Sequence, residues 1–194
     1  MRRFTEARTE ETPDEFWWLE HEPVFTTGLR RSRHLLLQET SIPVIETDRG
    51  GLITYHGPGQ LIFYPLLDLR RLSIGVRQLV SALEGAVIDL LSQYAIRASS
   101  RREAPGVYVE GRKIASIGLR ISRGCSYHGL ALNVDMDLEP FKKIIPCGLE
   151  GIEVTQLADL GVKTTPMEIA PALLAAFCDR LNLKIELIAK EELP

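Results

Sequence analysis

A single mixed α/β domain, of the α+β kind, is what the sequence predicts, and three observations carry that expectation. With 194 residues, 45% hydrophobic and 25% charged, the chain has ordinary globular proportions and enough length to bury a core of its own. Short β-branched runs punctuated by Pro and Gly give way to segments of helical period and back again. No internal repeat, low-complexity tract or Pro/Gly/Ser-rich linker interrupts the chain, so residues 1–194 are expected to form one domain.

Taken in order, Phe16–Leu19, Val24–Thr26 and Pro43–Glu46 read as strands. Gly51–His56 and Leu61–Leu67 read as two more, joined by the turn residues His56-Gly57-Pro58-Gly59-Gln60. The period then changes. Val76, Leu79, Val80, Leu83, Val87, Leu90, Leu91 and Tyr94 recur at helical spacing, with Ser73 as the expected cap. From 105 to 134 the alternation is twofold again, with turns at Glu110-Gly111-Arg112 and Arg123-Gly124, which predicts a three-stranded meander. A short helix is expected over Leu138–Ile144, stopped by Pro146-Cys147-Gly148. Thr165-Pro166-Met167-Glu168 combines a capping box with a Pro at the first helical position, so a last helix follows, with Ile169, Leu173, Leu174, Phe177, Cys178 and Leu181 as its apolar stripe. A strand over Lys184–Ile188 would close the fold.

Charge and cysteine usage exclude several classes. The net charge of -3 is spread evenly, with 11 Lys+Arg and 13 Asp+Glu in residues 1–100 and 12 and 13 in the remainder, so no basic half exists to bind nucleic acid. The apolar runs are too short for a membrane span, and Met1-Arg2-Arg3-Phe4-Thr5-Glu6 lacks the apolar stretch of a secretion signal. Three cysteines, at 125, 147 and 178, form no C-x-x-C pair, which argues against a disulfide scaffold or zinc cluster and for a reducing cytoplasm.

A nucleophilic thiolate must be reachable and stabilised, whereas a buried thiol is only a small hydrophobe. Cys178 falls in a helical stripe and is expected in the core; Cys125, beside a hairpin turn, is expected as an incidental surface thiol. Cys147 sits between Pro and Gly on a loop, just after Lys142 and Lys143, and from spacing alone a catalytic and a structural role fit equally. Lys113 is one of six lysines against seventeen arginines, and strand alternation puts it on the inward face with Ala115, Ile117, Leu119 and Ile121. Snorkelling at the strand end with Glu110 as partner is the simpler account; lining a pocket, where an ammonium would stabilise a thiolate, is the functional one. The run Arg49–Gln60 is the densest in Gly and polar side chains, but it is neither a Walker loop nor a dinucleotide fingerprint. The histidines at 21, 34, 56 and 128 form no i, i+4 pair, so a metal site is not expected.

Six ordered runs then carry a specific likeness: Trp18–Thr26, Arg49–Gln60, Ala104–Val109, Gly111–Arg120, His128–Val134 and Pro146-Cys147-Gly148. Together they resemble the lipoyl(octanoyl) transferase family, from about residue 14 to near the C-terminus. The resemblance implies transfer of an octanoyl group from octanoyl-acyl carrier protein to a lysine of lipoyl domains, those of 2-oxoacid dehydrogenase E2 subunits and the glycine cleavage H protein, through an enzyme thioester. It implies the fold of the biotin and lipoate ligase catalytic domain, a mixed sheet flanked by helices, a cytoplasmic setting, and no cofactor, nucleic acid or membrane. The nucleophile maps onto Cys147 and the lysine that lowers its pKa onto Lys113. Substrate contacts map onto Arg49, Gly50, Gly51, Leu52, Ile53, Thr54, Tyr55 and His56, onto Ser116, Ile117 and Gly118, and onto Gly129, Leu130 and Ala131.

Family members carry a further strand and helix ahead of Trp-Leu-Glu-His where this chain has only Met1–Glu15, which is expected to bear on stability and acyl-chain binding if that strand is a sheet edge or pocket wall. An acidic carrier protein would need a local basic patch, and Arg30-Arg31-Arg33 is the densest. The competing functions are an ATP-dependent lipoate or biotin ligase of the same fold, a hydrolase pairing Cys147 with His56 or His128, and a noncatalytic acyl-chain binder.

Overall fold

The computed structural model describes residues 1–30, 32–145 and 152–185, the side chain of Arg33 excepted. A short helix α1 (Arg2–Ala7) is followed by β1 (Glu15–Leu19), β2 (Val24–Thr27), β3 (Val44–Glu46), β4 (Thr54–His56) and β5 (Gln60–Leu66). Then come α2 (Val76–Ser92), β6 (Ser99–Ser100), β7 (Gly106–Val109), β8 (Arg112–Ser122), β9 (Cys125–Asn133) and α3 (Pro166–Leu181). Six strands form an antiparallel sheet in the order β1-β5-β9-β8-β7-β6. The remaining three form a mixed sheet, β3-β2-β4, in which β2 is parallel to β3 and antiparallel to β4.

Alternation sorts the large sheet's side chains into two layers. Phe16, Trp18, Leu61 and Phe63 face α2 and α3, while Trp17, Leu19, Ile62 and Tyr64 face a cavity on the other side. Phe177 of α3 meets Phe63 and Phe16 edge-on at centroid distances of 5.7 and 5.8 Å, and Arg180 clasps Asp89 of α2 through Nε and Nη2 at 2.6 and 2.7 Å. The small sheet lies across the cavity, its outer face packed on a second core of Phe25, Tyr55, Met136, Phe141 and Ile144. No helix among the described residues is long and apolar enough to cross a membrane.

The meander and α3 form as the sequence leads one to expect, and the capping box is in place: the Thr165 side chain accepts from the Glu168 N–H, and the Glu168 carboxylate accepts from the Thr165 N–H. Other expectations need correction. α2 starts from Gly75, whose N–H donates to Gln78 Oε1 at 2.7 Å, because Ser73 is used in the preceding turn with φ 54°. The two strands expected at 51–56 and 61–67 do form, as β4 in the small sheet and β5 in the large one. The helix expected over 138–144 is a 3-10 helix, Glu139–Lys143. Lys184 and Ile185 are not in a strand, and the rest of that expected strand lies outside the described residues.

Candidate active site

The cavity between the sheets has a volume of about 400 Å³. Its floor is Trp17 and Leu19 of β1, Ile62 and Tyr64 of β5, Ser116–Gly118 of β8 and His128–Ala131 of β9; its roof is Val24 and Thr26 of β2, Ile45 of β3, and Thr54 and His56 of β4. Of the expected contact residues, Arg49, Gly51, Leu52, Ile53, Thr54, His56, Ser116, Ile117, Gly118, Gly129, Leu130 and Ala131 are brought together here. Tyr55 is not, since alternation along β4 turns its ring outward onto Phe25 and Phe141. Gly50 stitches the loop to the sheet instead, its N–H donating to the Leu119 carbonyl at 2.8 Å, while the Arg49 carbonyl accepts from the Leu29 N–H at 3.0 Å. His21, Thr26, Tyr64 and His128 also line the cavity, although nothing in local spacing marks them as a set.

Burial lowers the pKa of each of the three cavity histidines. His56 hydrogen-bonds Gln60 Oε1 at 2.7 Å and Thr26 Oγ1 at 3.2 Å, and burial pushes its pKa down to about 3. With both ring nitrogens occupied, it is poorly placed to activate a thiol. His21 meets the Tyr64 hydroxyl at 3.0 Å; burial lowers the histidine and raises the tyrosine to about 12. His128 pairs with Leu119, so strict alternation would aim it at the helices, but its φ of 58° swings the ring into the cavity. There its Nε2 meets Asp48 Oδ1 at 2.8 Å, and burial outweighs that carboxylate in lowering its pKa. Burial also pushes Asp48 up, yet the hydrogen bonds from His128 and Tyr127 together hold its carboxyl below the usual range.

Lys113 does not sit where alternation places it. A β-bulge between Val107 and Tyr108 pairs Val107 with Ala115 but Tyr108 with Lys113, so Ile114 joins Ala115 in the helix-side core and Lys113 leaves that face. The side chain is 2% exposed and does not snorkel; Nζ donates to the Pro105 carbonyl at 3.2 Å and lies 5.5 Å from the centre of the Tyr108 ring. Glu110, its expected partner, pairs with Arg112. Gly106, next to Pro105, pairs with Ser116, which lines the cavity, while Lys113 itself is not among the cavity-lining residues. Backbone bonds from the Lys113 N–H to the Glu153 carbonyl at 2.8 Å and from the Thr155 N–H to the Lys113 carbonyl at 2.9 Å lay segment 153–155 beside it.

Gly106 makes this cradle. Its φ is 143°, its N–H donates to Glu84 Oε1 at 3.0 Å, and an added Cβ would lie 2.4 Å from the Ala115 carbonyl oxygen and 2.7 Å from Lys113 Cε. Gly106→Ala is expected to cost on the order of 2 kcal/mol of stability and to reduce activity through a displaced Lys113, as read by thermal unfolding and turnover.

Cys147, the expected nucleophile, lies outside the described residues with Pro146 and Gly148. Cys178 is buried in the α3 stripe as expected, and burial raises its thiol to about 11. Cys125 corrects the surface expectation: it is buried, because the Asp68 segment bridges to it and folds over the hairpin turn. In the expected basic patch Arg30 is exposed, while Arg31 and the side chain of Arg33 lie outside the described residues.

The sequence profile of the lipoyl protein ligase A/B catalytic domain matches residues 1–178. The chain belongs to this family. A relative named Octanoyltransferase, from Alkalilimnicola ehrlichii, is 61% identical over 92% of this chain and 82% of its own length. The fold is shared with a bipartite lipoate protein ligase from Thermoplasma acidophilum at a TM-score of 0.76 and 16% identity, covering 98% of this chain and 80% of that one. It is shared more loosely with a biotin protein ligase from Aquifex aeolicus at a TM-score of 0.53 and 18% identity, covering 81% and 68%. The mixed architecture expected from the sequence is thus that of the lipoyl protein ligase A/B family.

Proposed function

We propose that the chain transfers an octanoyl group from octanoyl-acyl carrier protein to a lysine of lipoyl domains, those of 2-oxoacid dehydrogenase E2 subunits and the H protein, through a thioester on Cys147. The observation that carries this reading is the Lys113 ammonium held inside the protein beside segment 153–155. Octanoyltransferase relatives support the choice of acyl group, and the cavity suits it. Its volume falls in the usual small-molecule range of about 300–1,000 Å³. Burying an eight-carbon chain at about 0.8 kcal/mol per CH₂ gives about 5 kcal/mol of binding.

In the first half-reaction the Cys147 thiolate attacks the acyl carbonyl, the bond to the pantetheine sulfur breaks, and Lys113 gives that sulfur its proton. In the second, the acceptor lysine amine attacks the enzyme thioester and passes its proton to the now neutral Lys113, while the Cys147 thiolate leaves. One proton goes out and one returns, so the enzyme is regenerated without ATP. Two free, buried cysteines among the described residues are consistent with a reducing, cytoplasmic setting. The test is transfer from octanoyl-acyl carrier protein to a purified lipoyl domain with ATP omitted. Full transfer is the expected result; transfer only from free octanoate plus ATP would make the protein a ligase, and release of free acid would make it a hydrolase.

A further inference from the structure

A polar chain crosses the apolar interior from segment 153–155 to the cavity, and its polarity is fixed link by link. Asn133 Nδ2 donates to the Thr155 carbonyl at 3.0 Å, so its Oδ1 faces Gln60. Gln60 Nε2 donates to that oxygen at 2.9 Å and faces the Tyr55 carbonyl at 3.4 Å, which leaves Gln60 Oε1 turned to His56. Oε1 only accepts, so His56 Nδ1 carries the hydrogen of the neutral ring and Nε2 is bare. The Thr26 hydroxyl must then donate to Nε2, which frees its lone pairs for Arg49, whose Nη2 and Nε lie 2.8 and 3.2 Å away.

We propose that Gln60 is a positioning residue for the acyl-transfer reaction, setting the His56 tautomer and, through the Thr26 hydroxyl, the orientation of Arg49 in the acyl cavity. The proposal rests on the reading of Arg49 as a substrate contact. Two observations separate it from a merely structural polar cluster. The chain ends at a cavity-lining guanidinium on one side, and on the other at Thr155, whose N–H bonds the Lys113 backbone. Gln60 itself is 2% exposed, so its partners are the only groups that satisfy it among the described residues. The two halves of the site are thereby held in one frame, and a change of polarity at Gln60 is felt at Arg49.

Gln60→Glu tests this with nearly no change of shape. A carboxylate cannot donate to Asn133, and it draws a proton onto His56. Two quantities are read: the protonation pattern of His56 by nitrogen-15 NMR at neutral pH, and the second-order rate of octanoyl loading from octanoyl-acyl carrier protein. Wild-type protein is expected to show hydrogen on Nδ1 alone. Gln60→Glu is expected to show an imidazolium and to load about 10- to 100-fold more slowly. Thr26→Val is expected to show the same loss with the Nδ1–H tautomer kept, and Thr26→Ser to restore loading; that pair decides the matter if Gln60→Glu does not fold. Wild-type hydrogen on Nε2, or undiminished loading in Gln60→Glu or Thr26→Val, would overturn the proposal alone. Failure of wild-type protein to load octanoyl would overturn the transfer reading with it.

Discussion

Replacing Lys113 by Met is expected to slow octanoyl transfer by about 10²- to 10⁴-fold while leaving the protein folded. Met keeps an unbranched stem of similar volume, a change that costs less than about 1.5 kcal/mol in a packed site, and the Pro105 carbonyl left without its donor adds about 1–3 kcal/mol. Thermal unfolding of the variant, read beside the rate, separates a loss of fold from a loss of rate. The diagnostic signature lies at Cys147. An ordinary thiol titrates near pH ~8.5, and without the ammonium the thiolate is less stabilised, so alkylation at neutral pH is expected to slow and its pH midpoint to rise. Equal alkylation profiles in the two proteins would mean that Lys113 is a structural cation held by Pro105 and Tyr108.

Cys147→Ser is expected to abolish transfer with no change in the far-ultraviolet circular dichroism spectrum or thermal midpoint. A hydroxyl is not ionised by one nearby ammonium, so the covalent step has no nucleophile. Cys178→Ser instead puts a hydroxyl into the α3 stripe, among side chains that face the large sheet, and is expected to lower stability and leave the rate per folded molecule intact. Near-normal turnover by Cys147→Ser would refute a covalent mechanism.

The fold was legible where signals are local. Thr165-Pro166-Met167-Glu168 starts α3 because the capping box needs only four neighbouring residues, and the hairpin turns at 110–112 and 123–124 each carry a glycine, Gly111 and Gly124, at positive φ. The site was legible in part, since the run 49–56 without Gly50 and Tyr55, and the strand segments 116–118 and 129–131, do gather round one cavity. What failed was decided at longer range or by one extra residue. Twofold alternation cannot reveal the bulge that moves Lys113 to the other face, nor the positive φ that turns His128 inward. Burial of Cys125 depends on a bridge to Asp68, far away in sequence, and the His56 relay joins Thr26, Gln60, Asn133 and Thr155 from four separate segments.

The central claim is that Cys147 carries the octanoyl group between donor and acceptor, and intact-mass spectrometry of the protein mixed with octanoyl-acyl carrier protein, without ATP or acceptor, tests it most directly. A gain of one octanoyl group, located on the peptide containing Cys147 and discharged when a lipoyl domain is added, is the expected result. An unmodified protein that nevertheless acylates the lipoyl domain, or an adduct on any other residue, would contradict it.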